Sequence, residues 1–326
     1  MKYIINTLLI LSLITGCAWK TSETGRIRVI FDTDCNNELD DQHALAYLLF
    51  NGDIFDIEGI TVNRTHNGGD IESHYEEAMR VVKLCSLENA IPVYRGASAD
   101  YSEIVADIEN PEFDGWEAVD FIIRQAHKKD DRPLVLLPVG KLTTIALALK
   151  KDPSIIPNVR IVWLGSNYPD PGEYNLVNDV TAVNPVIESR AAFEMATVRY
   201  GKPSGTDAVR ASLEEIKHIM PGKGPVIEYG IEGRNGGFFN HFGDYSVDLF
   251  TNINEPSRAL FDMAAVAIVK NAQWAERTVI PAPELTQDGW KDRPDNVHTI
   301  VIWEQFDRDG IMEDFYRRMD NYVLPE

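Results

Sequence analysis

The 326-residue chain is long enough to bury a large core, in one large α/β domain or two small ones. Hydrophobic residues make up 44% of the sequence, which argues against a disordered chain. The formal net charge of −20 argues against a nucleic acid as partner, because binding to phosphates depends on clustered Lys and Arg side chains.

The N-terminal stretch MKYIINTLLILSLITGC combines a Lys, an apolar run too short to span a bilayer comfortably, and small residues before Cys17. It predicts a lipoprotein signal peptide at 1–16 with Cys17 lipidated, because LITGC resembles a bacterial lipobox. An uncleaved anchor or a signal cut elsewhere is the alternative. The prediction places the protein at the bacterial cell envelope, attached to the membrane only through the lipid on Cys17. Residues 17–26 then form a tether, and 27–326 form the folded domain.

From residue 27 to about residue 200, short β-branched runs alternate with amphipathic helical stretches. The predicted strands are RVIF, IEGITV, RPLVLLPV and VRIVWL, and the predicted helices lie near 39–50, 70–85, 142–150 and 182–194. This βαβ alternation predicts a doubly wound α/β fold, with a mostly parallel sheet flanked by helices on both faces. Ligands bind such sheets beyond the carboxyl ends of the strands, so polar residues that follow a strand are candidates for a site.

The segment from 201 to about 255 has a different pattern. It is rich in Gly, contains Pro and shows weak periodicity, as in EGRNGGFFNHFGDYS. We predict a lid-like insertion over the sheet near 201–255. Helical periodicity returns in EPSRALFDMAAVAIVKNA, followed by RTVIPAP, the strand-like HTIVIW and a final helix, GIMEDFYRRM.

Four carboxylates lie between the first strand and the first helix. Asp32 and Asp34 follow RVIF directly, and Asp40 and Asp41 open the helix LDDQHALAYLLF. Carboxylates held a few ångströms apart repel one another unless a cation neutralises them, and Ca²⁺ or Mg²⁺ fits an all-oxygen shell. The alternative is that Asp40 or Asp41 simply caps the helix. A metal here lowers the pKa of a bound water, and Asp34 can take its proton, which indicates hydrolysis.

Three later stretches add candidates. PVGKLTTIALALKKDP places Thr143 after a strand, although this is also the pattern of a plain strand-to-helix turn. LGSNYPDPGEYNLVND places Asn167, Glu173 and Asn175 after another strand, where they can hydrogen-bond a polyhydroxylated ring or build Asx turns. Asp262 stands in the apolar setting ALFDMAAVAIV, where an unpaired charge is costly, so it needs a partner such as a shared cation.

Together these stretches resemble the nucleoside hydrolase family of the inosine-uridine preferring type. DTDCNNELDD is similar to the family's opening Asp motif, GKLTTIAL to its Gly-Pro-Leu-Thr-Asn motif, and Asn167, EYN and Asp179 to its later Asn, Glu-Phe-Asn and Asp. The resemblance covers about residues 27–200 and returns around Asp262. It implies Ca²⁺-dependent hydrolysis of the N-glycosidic bond of ribonucleosides or a related riboside, and it raises a homo-oligomer as the assembly state.

The resemblance also implies roles for individual residues. A Ca²⁺ ion would be held by Asp34, Asp41, the main-chain carbonyl of Thr143 and Asp262. Asp34 would also be the base that activates the metal-bound water. The ribose hydroxyls would be bound by Asp40, Asn167, Glu173, Asn175 and, in preference to Asn63, Asn67.

Two departures from the family pattern change what is expected. Many members have a His immediately before the last metal-binding Asp, where it protonates the leaving base, whereas this chain has Phe261. His241 is the candidate to replace that acid, unless it is an ordinary loop histidine. The loop between Asp34 and Asp40 is also longer than in the usual motif, which can reshape the sugar pocket. These departures keep two alternatives open, a non-catalytic riboside- or sugar-binding lipoprotein and a hydrolase of another glycoside.

Overall fold

The computed structural model describes residues 25–325. The predicted signal peptide, the lipidation of Cys17 and all of the tether except its last two residues lie outside the described residues. Within 25–325, none of the helices has both the length and the apolar character that crossing a bilayer requires.

The core of the fold is an eight-stranded sheet in the order β11-β14-β6-β5-β4-β1-β2-β3, in which only β11 runs antiparallel to its neighbour. Three two-stranded sheets, β7 with β10, β8 with β9 and β12 with β13, lie outside it. The strands are β1 Ile27–Thr33, β2 Phe55–Val62, β3 Val93–Arg95, β4 Leu134–Pro138, β5 Val159–Leu164, β6 Ala192–Ala196, β7 Arg210–Ser212, β8 Ile231–Glu232, β9 Phe238–Phe239, β10 Ser257–Ala259, β11 Glu276–Pro281, β12 Glu284–Thr286, β13 Gly289–Lys291 and β14 Thr299–Glu304.

Helices cover both faces of this sheet, and the two faces form two separate apolar cores. One core contains side chains of α1, α2, α9, α10 and α11, and the other contains those of α4, α5 and α7. The helices are α1 Asp40–Leu49, α2 Ile71–Leu84, α3 Tyr101–Ile104, α4 Trp116–Ala126, α5 Thr143–Lys151, α6 Tyr174–Asn178, α7 Val180–Glu188, α8 Leu213–Ile219, α9 Phe242–Asn252, α10 Phe261–Lys270 and α11 Arg308–Asp320. The predicted doubly wound α/β fold is therefore confirmed.

The topology of the sheet determines where a site can form. From β1 the chain moves outward through β2 to β3 on one side, and then returns to β4, β5 and β6 on the other side of β1. The strand order therefore reverses between β1 and β4, where Asp32 pairs in register with Pro138. A crevice opens beyond the carboxyl ends of the strands at such a reversal, and Asp34 lies immediately beyond the end of β1.

One predicted helix is wrong at its C-terminal end. The helix placed near 182–194 ends at Glu188, and Ala192–Ala196 forms the central strand β6. The chain leaves the helix because Arg190 has a φ of 65°, in the left-handed region that interrupts a right-handed helix. The strand β3 and the helix α4 are further elements that the sequence interpretation did not include.

The segment predicted as a lid-like insertion near 201–255 contains two helices, α8 and α9. Its apolar side chains Met220, Phe242, Tyr245 and Phe250 are fully buried in the same core as α1 and α10. Because β7 pairs with β10, the segment also contributes to the rim of the crevice above the sheet.

Candidate active site

A cavity of about 340 Å³ lies beyond the carboxyl ends of the central strands. We call its buried carboxylates the acidic floor, which consists of Asp34, Asp40, Asp41, Glu173 and Asp262. We call the more accessible side the outer wall, which consists of Glu38, Tyr200, Asp207, Arg210, Arg258 and Phe261. Asn37, Tyr174, Asn175 and four apolar residues complete the lining. The volume is that of a binding site for a small molecule, such as one that contains two linked rings.

Three carboxylates of the acidic floor come together although they are far apart in the chain. One oxygen each of Asp40, Asp41 and Asp262 lies within 4.8 Å of the other two, and all three side chains are buried. Asp40 and Asp41 open α1, and Asp262 lies in the first turn of α10. The packing of α1 against α10 therefore brings the three acids together at the end of the sheet.

Asp34 lies at the same cavity but outside this tight group of three. Its Oδ2 atom accepts a hydrogen bond of 2.6 Å from the Thr65 hydroxyl, and its carbonyl oxygen lies 2.8 Å from Nδ1 of His74. A Cβ atom at Gly140 would lie 3.0 Å from Oδ1 of Asp34 and 2.8 Å from the Asn63 amide. A glycine at this position therefore allows the loop after β4 to approach Asp34 closely.

Asp32 is fully buried beneath the cavity and does not line it. Its two carboxylate oxygens accept hydrogen bonds from the Thr61 hydroxyl at 2.7 Å and from the Asn63 amide at 2.6 Å. Burial raises the pKa of Asp32 to about 7. Asp32 therefore connects β1 to β2 below the site rather than contacting a ligand.

Burial raises the pKa of every aspartate in the acidic floor. Burial is the main cause, and it raises the pKa of Asp34 to about 6 and that of Asp40 to about 7. For Asp41 and Asp262, burial and then the neighbouring carboxylates raise the pKa well above its usual range. At neutral pH these groups must either hold protons or share a cation.

The donor set fits a hard divalent cation. Among the described residues, the close group consists of carboxylates only, without a His or Cys that would favour zinc. Thr143 is the first residue of α5 and is fully buried, and its hydroxyl donates a hydrogen bond of 2.5 Å to Asp179. This contact fixes the start of α5, where the main-chain carbonyl of Thr143 was predicted as the fourth ligand. Thr143 itself does not line the cavity.

Glu173 and Asn175 line the cavity, as the sequence interpretation requires. Glu173 has a φ of 117°, an uncommon conformation that is held by its own side chain. Its Oε2 accepts hydrogen bonds from the amides of Ser166 at 2.8 Å and Leu176 at 2.9 Å, and burial raises its pKa to about 7. The Asn175 amide donates to the carbonyl of Val139 at 2.7 Å, which connects the end of β4 to α6.

Three other predicted residues lie outside the cavity lining. Asn67 is exposed, and its backbone amide donates a hydrogen bond of 3.0 Å to the Tyr174 hydroxyl. Asn167 is half-buried, and its side-chain oxygen accepts from the amide of Tyr200 at 3.4 Å. Both therefore contact tyrosines that line the cavity. His241 precedes α9, with Nδ1 3.2 Å from the carbonyl oxygen of Gly224, away from the lining.

The sequence interpretation missed most of the outer wall. Arg210 and Arg258 come from β7 and β10, whose pairing places Arg210 opposite Ala259. Arg258 lies in β10, shortly before Asp262 in SRALFD, and this proximity in the sequence was a local signal. Arg210 has no such signal, because its position depends on a strand pairing between distant parts of the chain.

Known structures share this architecture. The chain superposes on a plant nucleoside hydrolase, PpNRh1, with a TM-score of 0.70 and 16% identity over 90% of this chain and 99% of that one. It superposes on a purine-preferring ribonucleoside hydrolase from Gardnerella vaginalis with a TM-score of 0.65 and 21% identity, over 90% and 98% of the two chains. At this level of identity, the superpositions show a common fold.

Comparison with curated sequences finds a relative that matches a smaller part of the chain. The pyrimidine-specific ribonucleoside hydrolase RihB of Escherichia coli is 28% identical over 179 residues, which cover 48% of this chain and 55% of RihB. The match therefore spans about half the length of the curated relative.

The fold of this chain is the one that these nucleoside hydrolase structures have. The family model of the inosine-uridine preferring nucleoside hydrolases matches residues 29–310. This protein belongs to that family, and the resemblance first seen in its acidic and Asn-rich motifs is confirmed.

Proposed function

We propose that this protein is a Ca²⁺-dependent N-ribosyl hydrolase that cleaves ribonucleosides or a related riboside. The observation that carries the proposal is the gathering of Asp40, Asp41 and Asp262 beside Asp34 at one end of the sheet. Buried carboxylates in such a group are tolerated when a cation is shared among them. Membership of the nucleoside hydrolase family supports N-glycosidic bonds as the target.

In this proposal the ion would be held by Asp34, Asp41, Asp262 and the carbonyl of Thr143. A bound Ca²⁺ would supply positive charge that lowers the pKa of a nearby water. Asp34 accepts the proton of the attacking water, which its position at the cavity allows. Its hydrogen bond from Thr65 keeps the second carboxylate oxygen in a fixed orientation.

The remaining polar residues of the floor bind the sugar. Asp40, Glu173 and Asn175 line the cavity next to the proposed metal ligands and are assigned to the ribose hydroxyls. Positive charge develops on the anomeric carbon as the bond breaks, and the buried carboxylates stabilise that charge. The tether and the lipid on Cys17 would place this activity at the bacterial cell envelope.

The test is hydrolysis of a nucleoside panel by the purified protein, followed as free reducing sugar with Ca²⁺ and again after chelation. We expect sugar release with Ca²⁺ and its loss with the chelator. The alternative is a riboside-binding protein without turnover, which Phe261 in the outer wall favours because this side chain cannot donate a proton. Ribose binding without release from any nucleoside would support that alternative.

A further inference from the structure

The leaving base needs a partner on the outer wall. When an N-glycosidic bond breaks, its electron pair moves to the base, which must be protonated or stabilised as an anion. The sugar is assigned to the acidic floor, so the base extends towards the opposite side of the cavity. Among the described residues that line the cavity, none is a His, Lys or Cys. Phe261 and Tyr200 form an edge-to-face aromatic pair there, with ring centroids 5.7 Å apart.

Arg258 places its cationic group over one ring of this aromatic pair. Its guanidinium carbon lies 5.9 Å from the centroid of the Phe261 ring, and the side chain is 22% exposed. Arg210, the second arginine of the outer wall, is committed to local structure. It donates to Asp207 at 2.9 Å and to the carbonyl oxygen of Ser257 at 3.2 Å. Both arginines are held by carboxylates, so it is the position of the Arg258 guanidinium at the Phe261 ring that makes Arg258 better placed to meet a flat ring packed there.

Glu38 holds Arg258 in this position. The carboxylate of Glu38 forms an ion pair with the Arg258 guanidinium, and Glu255 lies 3.7 Å away on the other side of it. Glu38 belongs to the longer loop after β1, and its carbonyl oxygen accepts a hydrogen bond of 2.6 Å from Arg234. The extra length of that loop therefore has a structural consequence, because it brings an acid to the outer wall.

We propose that the Arg258 guanidinium binds the departing base and stabilises the negative charge that develops on it. This inference rests on the proposed function and names a residue that acts in it. Arginine keeps its charge at all relevant pH values and presents several N–H donors in a plane, which suits the carbonyl oxygens of a base that leaves as an anion. The chain thereby uses a fixed cation where a proton donor would otherwise act.

The step balances without another reactant. The electron pair of the C–N bond goes to the base nitrogen, and the water oxygen bonds to the anomeric carbon. The proton of the water passes to Asp34 and then to solvent. The base anion, hydrogen-bonded to Arg258, takes a proton from solvent after it leaves.

The substrate class follows from this arrangement. Bases whose negative charge spreads onto ring carbonyl oxygens, such as uracil, can accept the N–H groups of a guanidinium as they leave. A base without ring carbonyl oxygens, such as adenine, offers fewer acceptors for these donors. We therefore expect ribosides of oxo-bases to be cleaved faster than adenosine.

The test compares two substrates. Uridine has a leaving base that needs stabilisation, whereas p-nitrophenyl β-D-riboside releases an anion that is already stable at neutral pH. We expect Arg258→Gln to lower kcat/KM for uridine by about 10²–10³-fold, the usual effect of removing one preorganised donor. The loss on the p-nitrophenyl substrate should remain below about tenfold, because that leaving group does not need the arginine.

Two further variants and one control complete the design. Arg258→Lys keeps a positive charge, so its kcat/KM for uridine should fall less than that of Arg258→Gln, and again more than its kcat/KM for the p-nitrophenyl substrate. This variant keeps the test valid if Arg258→Gln folds poorly. Glu38→Gln should lower the rate on uridine selectively, because it releases the positioned arginine. Arg95→Gln breaks another Arg–Glu pair, which lies outside the cavity, and should leave both rates unchanged.

The possible outcomes separate the two proposals. Equal losses on both substrates, or an unchanged rate on uridine, would overturn the role of Arg258 in an enzyme that is otherwise active. A wild-type protein that hydrolyses neither substrate would overturn the proposed function and the role of Arg258 with it.

Discussion

The acidic floor and the outer wall of the cavity are built in different ways. The floor takes its aspartates from the end of β1 and the first turns of α1 and α10, where buried helices and a parallel strand fix each position. Except for Phe261, the first residue of α10, the wall takes its side chains from the short strands β7 and β10 and from loops, and salt bridges hold several of them in place. In the proposed function, the floor carries the hydrolysis and the wall contacts the leaving group, so the two parts can be tested separately.

Replacement of Asp34, the proposed base of the floor, should have the largest effect. We expect Asp34→Ala to lower kcat by about 10³–10⁴-fold on every substrate, because no other group can take the proton of the water in the same place. The protein should remain folded, with an unchanged circular dichroism spectrum. Asp309→Asn alters a carboxylate whose side chain is 90% exposed and serves as the control. Full activity of Asp34→Ala would show that Asp34 is not the base.

A second change to the floor should separate metal binding from stability. We expect Asp262→Asn to abolish detectable Ca²⁺ binding by calorimetry, because it removes one of the buried carboxylates that are proposed to hold the ion. Without metal, the same variant should be more stable than the wild type by about 1–2 kcal/mol, since one buried like charge has been removed. Unchanged calcium affinity would place the ion elsewhere.

The pH dependence of stability tests the charge balance of the floor. In the unfolded chain these carboxyl groups ionise near pH 4, whereas in the folded protein Asp34 and Asp40 keep their protons until about pH 6 and 7. The folded state therefore binds more protons between these values, so the metal-free protein loses stability as the pH rises from 5 to 8. Calcium should reduce this loss. A melting temperature that is flat or rising over this range without calcium would contradict the prediction.

The smallest effect is expected from a change in the wall. Phe261→His introduces a proton donor beside the leaving base, and we expect about a tenfold gain on adenosine, less than a well-positioned acid usually supplies. The rate on p-nitrophenyl riboside should not change, because its leaving group needs no proton. A loss on both substrates would mean that the aromatic pair with Tyr200 is needed for binding rather than for discrimination.

The sequence predicts the floor well because each of its residues follows a recognisable local pattern. Asp34 comes directly after an apolar strand, and Asp262 is an acid inside an apolar helical run. The alternation of strands and helices then places them at one edge of the sheet. Glu173 and Asn175 could be found in the same way, because they follow β5.

The wall could not be predicted from such patterns. Arg210 reaches the cavity through the pairing of β7 with β10, which joins residues 47 positions apart, as in the hydrogen bond from Arg210 to Ser257. The position of His241 could not be predicted either. Its residue type suggested a proton donor, but in the structure its ring faces the carbonyl oxygen of Gly224. Contacts between distant parts of the chain determine the positions of both side chains, and the spacing of neighbouring residues in the sequence does not indicate such contacts.

The packing of α1 against α10 has a consequence for the proposed calcium site. Both helices begin at the cavity, so the partial positive charges of two N-termini face the same aspartates. These dipoles offset part of the repulsion among the carboxylates before any cation arrives. We therefore expect the ligands to be preorganised, so that calcium can bind and leave quickly without refolding of the chain.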